Sequence, residues 1–148
     1  MQQAQGDLGA ALKSYGESLA IADRLVKSDP SNSVWQRDLA MSYIDIGDIQ
    51  QAQGDLTGAL KSYGESLAIA DWLVKSDPSD SARQRDLAAS YRKLASVLTK
   101  TGMKAEAIDS LRKGREIMDR LTNLSPDNAQ WEEDLEEFDD QLARLSSP

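Results

Sequence analysis

Leu56, Leu60, Tyr63, Leu67 and Ala70 follow one another at alternating steps of four and three residues. That rhythm places all five on one face of an α-helix. Gly54 breaks the segment ahead of them, and Asp55 stands where an N-cap is wanted, so the helix is expected to start near Asp55. Pro78 disfavours helical geometry in the residue before it and ends the helix there. Ser81-Ala-Arg-Gln84 then has the spacing of a capping box, as does Ser33-Val-Trp-Gln36. A second apolar face follows in Leu87, Tyr91, Leu94, Ala95 and Leu98, and it stops at Gly102.

The same pattern is written along the whole chain. Gly6, Gly54 and Gly102 are equally spaced, and Pro30, Pro78 and Pro126 keep the same step, as do Leu39, Leu87 and Leu135. Between Gln2 and Tyr43 only seven positions differ from their partners one period on. The third copy has drifted further, yet without insertion or deletion, so the units are structurally equivalent. Six helices are predicted, near residues 7–28, 32–53, 55–76, 80–101, 103–124 and 127–145. None can bury its apolar face alone, so the fold class is all-α, a solenoid of antiparallel helix pairs in a single domain spanning 1–148. Its parts are a lone helix 7–28, repeats 32–76 and 80–124, and a capping helix 127–145.

Composition narrows the chemistry. The 148 residues include 17 Lys and Arg against 25 Asp and Glu, for a formal net charge of −8. A nucleic-acid or anionic-membrane binder needs a basic footprint, which this balance does not supply. Cys and His are both absent, which removes disulfides, thiolate nucleophiles, imidazole bases and Cys/His zinc sites together. No glycine spacing would cradle a phosphate, and no acidic run has the calcium-loop pattern. No cofactor and no enzyme activity are therefore expected. The first residues lack the basic and apolar regions of a signal peptide, and no apolar run reaches membrane-spanning length. The expected location is cytoplasmic.

The stretch "AQGDLTGALKSYGESLAI" resembles the turn and second helix of a tetratricopeptide repeat. That family places Gly-Asp at the turn, then a small residue, an aliphatic, an aromatic and another small residue. Here these are Gly54, Asp55, Ala59, Leu60, Tyr63 and Ser66. In the helix before, Tyr43, Ile46 and Gly47 take the aromatic, aliphatic and small positions. Tyr91, Leu94 and Ala95 do so next, and Gly102, Ala107, Ile108, Leu111 and Gly114 complete that unit. The family's usual repeat is about 34 residues, and the longer step from Gly54 to Gly102 adds close to two turns at the outer end of each helix. The long repeats of kinesin light chains and some bacterial signalling proteins are similar in kind. The resemblance implies a wide superhelix whose concave face, lined by the first helix of each repeat, binds a protein or peptide.

On that face the outward residues are Met41, Ile44, Asp45, Asp48 and Gln51 in one unit, then Ala89, Arg92, Lys93, Ser96 and Lys100 in the next. The near-identical repeats diverge there: Ile44 becomes Arg92, Asp45 becomes Lys93, and Asp48 becomes Ser96. In the family, basic residues matching Arg92 and Lys100 clamp the terminal carboxylate of a bound peptide. The Asn side chains that complete such a clamp are replaced here by Asp48 and Ser96. Asp140 lies one period after Arg92 and is expected opposite it, neutralising the basic strip.

The two ends carry further expectations. The first helix has no first-type partner before it, so the chain reads as an excerpt from a longer array. Leu8, Leu12 and Leu19 are expected to lie partly bare and to drive self-association through this end. At the other end Trp131, Leu135, Phe138, Leu142 and Leu145 form a narrow apolar stripe backed by Glu132, Glu133, Glu136, Glu137 and Asp140, the pattern of a solenoid cap. The functional expectation is an interaction scaffold within a larger protein. The alternative is a structural spacer or self-assembly element with no separable ligand.

Overall fold

A computed structural model describes residues 2–146 and, from residue 6 onward, their side chains. Among the described residues there are six α-helices and no strand: α1 Gln2–Ser28, α2 Ser33–Ala52, α3 Leu56–Ser76, α4 Ser81–Lys100, α5 Lys104–Leu124 and α6 Ala129–Ser146. No helix among these residues is long and apolar enough to cross a membrane. The chain is all-α and divides between Leu73 and Val74 into two compact units. The first holds α1, α2 and most of α3, and the second holds α4, α5 and α6.

The turns follow the glycines where the chain folds back. Gly54 and Gly102 adopt φ of +83° and +80°, the left-handed conformation that costs glycine least. Gly6 holds the same place in the period but lies inside α1, which starts at Gln2 rather than near residue 7. Glycine permits a turn without imposing one. The run Gln2-Gln3-Ala4-Gln5 before Gly6 is identical to Gln50-Gln51-Ala52-Gln53 before the turn at Gly54, so the local sequence does not decide between the two outcomes.

The caps sit one residue ahead of the predicted capping boxes. Asn32 accepts from the Trp35 amide, and Asp80 accepts from the amides of Ala82 and Arg83. Asn128 accepts from the Trp131 amide at 3.1 Å in the third copy. Gln36 and Gln84 instead donate to the carbonyls of Pro30 and Pro78, at 2.9 and 3.1 Å. A stronger Asn or Asp acceptor stood next to each serine and took the cap. Asp55 caps α3 as expected, accepting from the Gly58 amide at 2.9 Å.

Small residues make up most of the buried face of α3. In α3 the buried residues are Ala59, Ser62, Tyr63, Ser66, Ala70 and Leu73, while Leu56, Leu60 and Leu67 are only half-buried. The periodicity named the right face, but Ala and Ser occupy its centre because they let backbones approach. Opposite Tyr63 lies Gly47, where a β-carbon would come within 2.6 Å of the ring. Ser62 donates to Gln50 Oε1 at 2.6 Å, which locks α3 onto α2.

Tyr63 completes that lock, and it carries a pH prediction. Its hydroxyl donates to the Asp48 carboxylate and lies 3.1 Å from Gln51 Oε1, while the residue is 1% exposed. Burial pushes the phenol well above the ordinary tyrosine range, and the bond to Asp48 pushes it further. A raised folded-state value favours the protonated form, so this stabilisation is complete below about pH 10 and declines as pH rises above it. Tyr63→Phe is expected to lower stability by about 1 kcal/mol at neutral pH and to flatten the alkaline decline. Urea melts from neutral to strongly alkaline pH check this; parallel curves for the two proteins would show that Tyr63 is not the titrating group.

Candidate functional site

In the second unit α5 packs against both α4 and α6. Phe138 is the anchor of α6, with 2% of its surface exposed. A β-carbon on Gly114 would lie 2.5 Å from its ring and 3.2 Å from the Ala88 carbonyl. All three helices meet at this point. α4 and α6 consequently run side by side over α5 with a groove between them.

Ion pairs tie the two walls together. Arg85 Nε donates to Asp134 Oδ2 at 2.7 Å, and Arg92 donates to Glu137. Arg115 on α5 pairs with Asp139. The carboxylates hold the Arg85 and Arg115 guanidiniums above their ordinary values. The partner of Arg92 is Glu137 rather than Asp140. The period fixes the backbone register, and a long arginine side chain reaches an acid on a neighbouring turn.

The groove holds two adjoining hollows beyond these bridges. One is lined by Arg92, Lys93 and Ser96 from α4 and by Glu137, Asp140 and Arg144 from α6. The other, of about 230 Å³, is lined by Ala95, Thr99 and Lys100 together with Leu111 and Leu145. Gln141 and Arg144 border both. The Gln141 Oε1 atom is buried without a hydrogen-bond partner, an uncompensated acceptor that a ligand N–H would satisfy. The arrangement offers cations, one apolar hollow and one acceptor. Among the described residues no cluster of three or more acidic groups is placed to hold a metal ion.

Of the predicted concave-face residues, Arg92, Lys93, Ser96 and Lys100 are brought together here. Ala89 borders a smaller hollow under Arg85 and Met118. The five from the first unit lie along α2: Met41 is 41% exposed, Ile44 and Asp45 are half-buried, and Asp48 and Gln51 face the Tyr63 hydroxyl. Leu8, Leu12 and Leu19 are half-buried. The apolar groups most exposed on α1 are instead Tyr15, Ile21 and Leu25, at 40%, 55% and 38%. Gln141 and Arg144 were not singled out from sequence, although they stand one period after Lys93 and Ser96. The period was the signal that could have found them.

No protein-family model and no curated protein matches the chain. Among solved structures it is similar to BtubC (BKLC) from P. vanneervenii, with 22% sequence identity and a TM-score of 0.66. The match takes in 93% of this chain and 48% of that one, so the chain spans about half the length of the protein it matches. The likeness is one of fold.

Proposed function

We propose that this chain is an interaction scaffold of the tetratricopeptide kind, which binds an extended protein segment in the groove between α4 and α6. The supporting observation is the makeup of the groove. Where the preceding repeat has Ile44, Asp45 and Asp48, this one places Arg92, Lys93 and Ser96, and these line a hollow bordered by the unpartnered acceptor of Gln141. The ligand places an apolar side chain in the hollow between Leu111 and Leu145, donates a backbone N–H to Gln141 Oε1, and sets a carboxylate between Lys100 and Arg144. Asp140 and Glu137 favour a cationic group further along the segment.

The test is calorimetry with an acidic peptide that has a free C-terminal carboxylate and one leucine. Binding to the wild-type chain is expected at low salt and should weaken as salt rises. The Lys100→Glu, Arg144→Glu double variant should bind about tenfold or more weakly, on the order of 1.4 kcal/mol. Equal affinity for both proteins, or no binding by wild type at low salt, rejects the reading.

A further inference from the structure

A hollow of about 270 Å³ opens on the first unit between α1 and α2, and the repeat supplies its direct counterpart in the second unit. Ser18, Ile21, Leu25, Trp35 and Asp38 line it. Two full periods on stand Gly114, Ile117, Leu121, Trp131 and Asp134. Those five lie where α5 and α6 meet, and there α4 lies over the groove. The Ala88 carbonyl approaches Gly114, and Arg85 bonds to Asp134 at 2.7 Å. Ile117 and Leu121 are 5% and 4% exposed, whereas Ile21 and Leu25 are 55% and 38% exposed. Asp38 is exposed, with no ion-pair partner among the described residues.

We propose that the α1/α2 groove is a docking site for an amphipathic helix of the α4 pattern supplied by another polypeptide. Its arginine pairs with Asp38 as Arg85 pairs with Asp134, and its small and aliphatic residues cover Ile21 and Leu25. This is helix-in-groove recognition, and the second unit is its internal template. Charge identifies the occupant. α6 of a second copy has the right length, but it carries Glu133 and Glu136 where α4 carries Arg85 and Ala88. Those acids would meet Asp38 with like charge, so end-to-end stacking of the chain on itself is disfavoured. A helix with arginine at that position meets no such penalty. The site is separate from the α4/α6 groove and does not depend on what binds there.

The experiment uses the whole chain and a capped, fluorescently labelled peptide with the sequence Asp80–Thr101, followed by anisotropy. Saturable binding is expected. Asp38→Arg, a change at an exposed position, should weaken it about tenfold, and Arg85→Glu in the peptide should weaken it similarly. The two changes together should restore binding, because they rebuild the pair with its signs exchanged. A peptide that displaced α4 inside the second unit would ignore Asp38, so binding indifferent to both substitutions overturns the proposal, as does absence of binding. A labelled peptide with the α6 sequence is expected not to bind. Equal binding by it, or a dimer of the chain that the α4 peptide dissolves in sedimentation, would place a second copy in the groove and overturn it too.

Discussion

Phe138→Ala is expected to lower the unfolding free energy by about 3–5 kcal/mol, the range for emptying a buried aromatic site. Among the described residues the ring is the one fully buried side chain of α6, whose other apolar residues, Trp131, Leu135, Leu142 and Leu145, are half-buried. Without it α6 keeps its ion pairs to Arg85 and Arg92 but loses the anchor that seats it on α5. Exposed pairs of that kind contribute about 0–1 kcal/mol each and cannot replace a ring. The groove beside α4 should loosen with it, so ligand affinity falls as well. A second substitution tests the packing directly. Gly114→Ala alone should cost about 1–2 kcal/mol, because its β-carbon would meet the ring at 2.5 Å and overpacking outweighs the gain in helix propensity. In the Phe138→Ala background the same change should cost clearly less, since only the 3.2 Å approach to the Ala88 carbonyl remains. Urea melts of the four proteins decide it. A loss below about 1 kcal/mol for Phe138→Ala, or a Gly114→Ala cost undiminished in the Phe138→Ala background, would show that the ring does not hold the helix.

In the first unit the corresponding contest lies between Gly47 and Tyr63. Gly47→Ala should cost about 1–2 kcal/mol, since the β-carbon meets a ring that its bonds to Asp48 and Gln51 hold in place. Tyr63→Leu alone should cost about 2–3 kcal/mol through a partial cavity and the lost hydrogen bonds. The second unit already contains the joint solution. One period on, the pair is Ala95 and Leu111, each 1% exposed. Alanine replaces glycine where leucine replaces tyrosine, and volume is conserved across the interface. Transplanting both changes should therefore cost less than the sum of the singles by about 1 kcal/mol or more, read from a double-mutant cycle. Additive effects would mean that the two residues do not share a packing site.

Those trades explain what could and could not be read from the sequence. The six helices were legible because Gly54, Gly102 and the three prolines Pro30, Pro78 and Pro126 punctuate a strictly periodic pattern. The leucine rhythm in α3 gave the buried face but not its centre, since burial is decided by how closely two backbones approach, and Ala59 and Ser66 decide that. Gly47 against Ala95 looks like drift until Tyr63 and Leu111 are known to stand opposite. No spacing along one helix reveals a partner on another. Gly6 was misread for a related reason: a turn needs a helix to fold against as well as a residue that tolerates it. In the groove, the α4 wall was legible through divergence between repeats. The α6 wall was not, because Gln141 and Arg144 stand outside its apolar stripe and no pattern within α6 marks them. For Arg92 the period points to Asp140 while the bond is to Glu137, because the period fixes backbone positions and the reach of a long side chain selects its partner.

The stretch Leu12–Asp23 recurs unchanged as Leu60–Asp71, once in α1 and once in α3. Tyr15 and Tyr63 belong to these copies and differ in exposure from 40% to 1%. A surface on α2 that accepts one copy meets the same side chains on the other, so contact energies in this stretch discriminate poorly between them. Discrimination comes from tethering. Asp29–Asn32 joins α1 to α2, and Gln53–Asp55 joins α2 to α3. Such short connections hold each helix at an effective concentration on the order of millimolar beside its own neighbour. In dilute solution that advantage keeps every helix in place. It shrinks as free chains approach the same concentration, where α3 of one molecule competes for the seat of α1 in another and the products are exchanged oligomers. Near-identical repeats thus leave fidelity of assembly to connection length.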